Sequence, residues 1–153
     1  MSIIRMATPN DYSELGELMY DAIHNGPTQY TAEQSRAWAA EPMRGDGWNA
    51  RLSEKHVIVA EEENRPLGFM TIEHGGYIDF AYIRPDAQGT GLFRQLFEQA
   101  VSWALAQGEA ELSTHASLMA QPAFAAMGFA VDYHETVEKD GQRLARARMI
   151  KQL

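Results

Sequence analysis

Residues 82–94 read Tyr82-Ile83-Arg84-Pro85-Asp86-Ala87-Gln88-Gly89-Thr90-Gly91-Leu92-Phe93-Arg94. A β-favouring run here passes through a glycine-containing turn into a helix. Glycines at such a junction let backbone N–H groups close on an anion, and the helix N-terminus adds about half a positive charge. A pyrophosphate is the natural guest. Gly-x-Gly alone also serves ordinary structural loops. The segment lacks the Gly-Lys-Ser/Thr ending of a nucleotide-hydrolase loop and the βαβ setting of a dinucleotide fold.

The surrounding pattern sets the fold class. Upstream of the turn, Val57 to Ala60, Leu67 to Ile72 and Ile78 to Ile83 are short β-favouring runs separated by Asn64-Arg65-Pro66 and Gly75-Gly76, which predicts three antiparallel strands. Downstream, Leu92, Leu96, Phe97, Ala100, Val101, Ala104 and Leu105 form an apolar helical stripe closed by Gly108. A strand over 110–115 and a helical segment reaching Met127 follow. Pro122 makes that segment either kink or start late. The last portion alternates, Val131, Tyr133 and Val137, then Ala145, Ala147 and Met149 against Arg146 and Arg148. Asp140-Gly141 between them signals a hairpin.

Nearer the N-terminus, Thr8-Pro9-Asn10-Asp11 opens a helix whose apolar face is Leu15, Leu18, Met19, Ala22 and Ile23, and Asn25-Gly26-Pro27 stops it. A second helix over 31–40 begins with Thr31 and Gln34 in capping-box spacing. Gly45-Asp46-Gly47, between Met43 and Trp48, reads as a mobile loop. With a short first strand over 2–5, the order is strand, two helices, three strands, helix, strand, helix, two strands. One α/β (α+β) domain over residues 1–153 is expected, with a mixed, mostly antiparallel sheet flanked by helices.

Composition narrows the function. Of the 153 residues, 13 are Lys or Arg and 21 Asp or Glu, a net charge of −8 that repels phosphate backbones, so nucleic acid is not an expected partner. There is no cysteine, which excludes disulfides, thiolate nucleophiles and cysteine-based metal sites. No apolar run reaches the length of about 20 residues that crosses a bilayer, so no membrane contact and a cytoplasmic location are expected. The five histidines, His24, His56, His74, His115 and His134, show no metal-ligand spacing, and no metal site is expected. Ser113 and His115 lack the elbow of a hydrolase.

The segment 82–94 and the order of elements around it resemble the GNAT superfamily of acetyl-CoA-dependent N-acetyltransferases, over essentially the whole chain. Gln88, Gly91 and the intervening Gly89 match that family's turn, and Leu96 matches a helix leucine beyond it. The resemblance implies that backbone groups of Tyr82 and Ile83, on a strand splayed from its neighbour, pair with the pantetheine arm of acetyl-CoA. Gln88, Gly89, Thr90, Gly91, Leu92 and Phe93 would hold the pyrophosphate. Phe93 stands where the family usually has a small residue, and it also extends the apolar stripe. In a second matching segment, Ala120, Gly128 and Phe129 agree with the family. Ser117 replaces an asparagine there, and Phe124 replaces a tyrosine that often protonates the departing thiolate. A phenyl ring cannot donate a proton. The helix start at Thr31-Ala32-Glu33-Gln34 and the closing Met149-Ile150-Lys151 resemble a small-molecule or little-characterised branch rather than the ribosomal-protein acetylases.

Acetyl transfer needs a neutral amine at the thioester carbonyl, donors to the developing oxyanion and a proton for the leaving thiolate. Asp79, on the strand leading to Tyr82, is one candidate base, although a solvated strand carboxylate reads the same way. His115, at the end of the next strand, is another, with an intrinsic affinity for protons suited to neutral pH. Tyr133 could stand in for the missing phenol. The implied activity is acetyl transfer to an amine of a small molecule or peptide by direct attack in a ternary complex, since no cysteine can carry the acyl group. Two alternatives stay open, an acyl-CoA-binding module with little catalysis and a nucleotide-binding domain. The Asp140-Gly141 hairpin also offers an edge for a homodimer.

Overall fold

Alternating and continuous apolar runs become a seven-stranded sheet in the computed structural model, which describes residues 2–153. The elements are β1 (Ile3–Met6), α1 (Tyr12–Asn25), α2 (Ala32–Trp38), α3 (Asp46–Ser53), β2 (His56–Glu62), β3 (Arg65–Glu73), β4 (Tyr77–Ile83), α4 (Leu92–Ala106), β5 (Glu111–Ser117), α5 (Gln121–Ala126), β6 (Ala130–Lys139) and β7 (Gln142–Gln152). The strand order is β1-β2-β3-β4-β5-β7-β6. All neighbours are antiparallel except β4 and β5.

Helices cover both faces. On one, Leu92, Leu96, Phe97, Ala100 and Ala104 of α4 pack on Ile58, Met70, Ile72, Ile78, Leu112 and Met149. On the other, Leu15, Leu18, Met19 and Ile23 of α1 join Trp48, Leu52, Val57, Val59, Phe69 and Phe80. α4 ends as its sequence predicts, with Glu109 N–H donating to Ala104 O at 3.0 Å and Gly108 N–H to Leu105 O at 3.1 Å.

Two irregularities in β4 shape the site. Met70 faces Ala81 and Ile72 faces Ile78, so β4 runs three residues where β3 runs two. This bulge at Asp79-Phe80 reverses the side-chain alternation, sending Phe80 and Tyr82 to the α1 face and Ala81 and Ile83 to the α4 face. Thr71, fully buried, accepts the Phe80 N–H on Oγ1 at 2.9 Å. The second irregularity is the short pairing of β4 with β5, at Tyr77–Ser113 and Ile78–Thr114 alone. Thr114 Oγ1 clamps this apex by donating to Ile78 O at 2.8 Å. Beyond it the strands part, leaving facing backbone groups that seek partners.

Several expectations need correction. The stretch taken as a loop at Gly45-Asp46-Gly47 starts α3, whose only buried residues, Trp48 and Leu52, are one turn apart. Trp48 Nε1 donates to Tyr12 O at 2.7 Å, so tertiary packing stabilises a helix that its own sequence does not announce. Leu105, placed on the buried stripe of α4, is 58% exposed. Val131 and Tyr133 are more than 40% exposed, because β6 is an edge strand with a register shift between them. The helical segment before Gly128 starts late, at Gln121, with Pro122 in its first turn where a missing N–H costs nothing.

Candidate active site

The turn after β4 leaves its backbone open. Gly89 and Gly91 have φ of 76° and 85°, the left-handed region that favours glycine, and nothing lies within 4 Å of a Cβ built on either. Gly91 caps α4, whose first turn carries no acidic residue and receives no side-chain cap from Gly91, as suits a helix start that meets an anion. Arg84 tethers the turn by donating from Nε to Pro66 O at 2.8 Å and pairing with Asp21 at 3.2 Å. Above the turn, a cavity of about 690 Å³ runs into the gap between β4 and β5.

Tyr82, Ile83, Gln88, Gly89, Gly91, Leu92, Phe93 and Ser117 all line this cavity. Thr90 does not. Its hydroxyl donates to Ala87 O, and the residue faces a smaller hollow rimmed by Glu62, Glu63 and an Arg65–Asp86 pair, a lining of net negative charge. Phe124 is also outside. It is 2% exposed and lies edge-on to Phe93 and Phe129, with ring centroids 5.2 and 5.1 Å away. Phe93 is therefore a cavity wall held from behind, which reconciles its large side chain with an open turn.

Other lining residues carried no motif. Tyr30 and Trp38 come from the α1–α2 connection and α2, Met119 from the β5–α5 loop, and Arg94 from the first turn of α4. Tyr30 had one sequence signal, an aromatic beside the Gly26-Pro27 helix stop. Its ring stacks on Trp38 at 6.0 Å, and Trp38 Nε1 donates to the Tyr82 hydroxyl at 3.3 Å. Met119 Sδ accepts from Gln29 N–H at 3.4 Å, closing the connection over the cavity.

The candidate bases sit at the apex where the strands part. His115 Nδ1 is 2.8 Å from the Tyr77 hydroxyl, and its Nε2 is 3.9 Å from Glu135, which binds Arg146 at 2.6 Å. Burial lowers the proton affinity of His115, and the Arg146 charge adds to this, so the ring is neutral near pH 7. Burial pushes the Tyr77 phenol up to about 12, helped by Asp79. Asp79 is engaged by Arg51 at 3.2 Å and Lys55 at 3.6 Å, which ties it to the end of α3. Asp79 and His115 thus share one polar cluster beside the cavity without lining it. Tyr133 stands apart from the cavity, exposed across from Arg148 on β7. The phenols that do line it are Tyr30 and Tyr82.

A mixed sheet split between two parallel strands over an open glycine turn has a counterpart among known proteins. The model of the acetyltransferase (GNAT) domain matches residues 27–151. The chain belongs to the GNAT acetyltransferase family. The uncharacterised N-acetyltransferase YafP of Escherichia coli strain K12 is 31% identical over 140 residues, covering 90% of this chain and 87% of YafP. A GCN5-related N-acetyltransferase of Rhodopseudomonas palustris superposes with a TM-score of 0.90 at 27% identity, over all of this chain and 96% of its own. The yncA structure of Salmonella typhimurium, which holds its cofactor acetyl-CoA, shares the fold with a TM-score of 0.75 at 20% identity, covering 99% and 94% of the two chains. GNAT enzymes use acetyl-CoA, and the open glycine turn and unpaired strand edges of this chain fit that molecule's pyrophosphate and amide-bearing arm. Among the described residues, no group of three or more His, Asp or Glu is placed to hold a metal ion, and no helix is long and apolar enough to cross a membrane.

Proposed function

We propose that this GNAT enzyme moves an acetyl group from acetyl-CoA to an amine of a small molecule or peptide, by direct attack in a ternary complex. The observation that carries this reading is the gap between β4 and β5 opening above the turn 88–93. The turn amides, with Arg94 beside them, would hold the pyrophosphate. Backbone groups of Tyr82 and Ile83 would pair with the pantetheine arm, Ser117 would border it from β5, and Phe124 would keep Phe93 in place. Bound acetyl-CoA supplies an activated acyl group as a thioester.

His115 and Asp79 flank the place where an amine would arrive. Neutral His115 accepts a proton relayed by Tyr77, whose phenol takes the amine proton while passing its own to Nδ1. Asp79, already shared between two cations, positions Arg51 and the acceptor rim. Tyr133 stands too far outside the cavity to replace the missing phenol, and the β6 edge that carries it would serve pairing with a second copy.

A second reading, an acyl-CoA-binding module with little turnover, is favoured by one observation: Asp79, His115 and Tyr133 do not line the cavity. Calorimetric titration with acetyl-CoA, followed by thiol release in the presence of amines, decides between them. Binding at about micromolar concentration with thiol release supports the enzyme. Binding without release from any amine leaves the module. His115→Asn is expected to lower kcat by about 100-fold and to remove the acid limb of the rate profile.

A further inference from the structure

Resting on that reading, we propose that the acceptor is an amine carried directly on a flat aromatic ring, seated against Tyr30, Trp38 and Tyr82. The cavity passes from the α4 face of the sheet to the α1 face through the gap in the strands. Its α4 end is occupied by the anion turn, with Phe93, Ala123, Ala126 and Met127 around it. Its other end is the aromatic wall, and this is the part left for an acceptor.

The wall is apolar by construction. Tyr30 Oη donates to Ala145 O at 2.6 Å and receives Leu118 N–H at 3.3 Å, while Trp38 Nε1 is used by the Tyr82 hydroxyl. With the Tyr30 hydroxyl and the Trp38 N–H engaged, the three residues offer mainly ring faces to a guest, the Tyr82 hydroxyl accepting from Trp38. α2 is itself fixed across the gap, since Gln34 Nε2 donates to Arg143 O at 2.9 Å and Lys139 Nζ to Trp38 O at 3.0 Å. Such a rigid wall selects by stacking.

Charge points the same way. Among the described residues Arg94 is the one charged residue lining the cavity, and it lies beside the glycine turn. Asp79 lies outside the lining and is shared by Arg51 and Lys55, and Arg146 is paired with Glu135. At the wall an ammonium would therefore find no unpaired carboxylate, and the carboxylate of an amino acid no unpaired cation. An amine on an aromatic ring delocalises its lone pair and is unprotonated at neutral pH, so it enters uncharged. It also removes the need for a base inside the cavity. As the nitrogen lone pair forms the C–N bond, the C–S bond breaks with its electrons on sulfur. One proton then leaves nitrogen, through Tyr77 to His115, and the thiolate takes one from solvent.

The test uses the full chain. Acetyl-CoA binding is measured first by calorimetry, and thiol release is then followed with 4-methoxyaniline and 5-aminoindole against spermidine, lysine and glucosamine. The aromatic amines are expected to show kcat/KM about tenfold or more above the others. Trp38→Leu is expected to raise KM for the aromatic amine by about tenfold, with a smaller change in Kd for acetyl-CoA. Should that variant not fold, 1-naphthol on the wild-type chain serves instead, and competitive inhibition against the amine is expected. The inference is overturned if acetyl-CoA binds but an aliphatic amine is the better acceptor, or if 1-naphthol does not compete; acetyl transfer itself then stands. If acetyl-CoA does not bind, both readings fall.

Discussion

The two ends of the cavity are built in opposite ways. The anion end is local: a dozen consecutive residues supply the turn, the two positive-φ glycines and the helix start. The aromatic end is assembled from α2, the connection before it, β4, β7 and the β5–α5 loop, joined by hydrogen bonds between residues as far as 115 positions apart. A local site tolerates distant changes and fails at single positions within itself. An assembled site fails when any supporting element shifts, even if no residue touching a ligand is altered.

The largest expected effect lies where the anion end leans on the core. Phe124→Ala removes the ring behind Phe93 and should cost about 3–5 kcal/mol of stability in denaturant unfolding. Phe124→Tyr, by contrast, should give no gain in rate, because the ring lies outside the cavity. A large gain would break the comparison by making position 124 part of the site.

Gly91→Glu places a strained residue and a carboxylate at the cap of α4. Acetyl-CoA binding should weaken by about 100-fold by calorimetry. A smaller target is the bulge that sends Tyr82 to the aromatic side. Thr71→Val strands the buried Phe80 N–H and should cost about 1–3 kcal/mol in unfolding experiments. It should also raise KM for the acceptor more than KM for acetyl-CoA, because the bulge orients only one end. Equal changes would erase the distinction.

The smallest effect is on pH. His56 and His115 both hold protons less tightly in the folded chain than the ordinary value of 6.5, chiefly through burial. The unfolded chain therefore takes up protons first as pH falls, and stability drops below about 6.5. Thermal melts at pH 7.5 and 5.5 should show this loss, and His56→Gln should reduce it.

The fold was legible wherever burial follows a period. The three strands before the turn and the long helix are readable in apolar spacing, whereas the last hairpin was readable from Asp140-Gly141, since β6 has no buried residue. α3 was not, because Trp48 and Leu52 are its only buried residues and Gly47 weakens the helical signal. The turn residues of the candidate site were readable for the same reason the turn is local. Thr90 and Phe124 were assigned to the cavity by position in a motif, yet side-chain direction puts one into a neighbouring hollow and the other into the core.

By itself the sequence determined the order of the strands and of every helix but α3, the glycine turn and the acetyltransferase resemblance, since these depend on neighbours within a few residues along the chain. Only the tertiary structure decided where the sheet opens, which face Tyr82 takes after the bulge, and that Tyr30 and Trp38 meet it across the gap. Those outcomes depend on strand register and on packing between distant segments, and neither leaves a periodic trace in the residues that carry them.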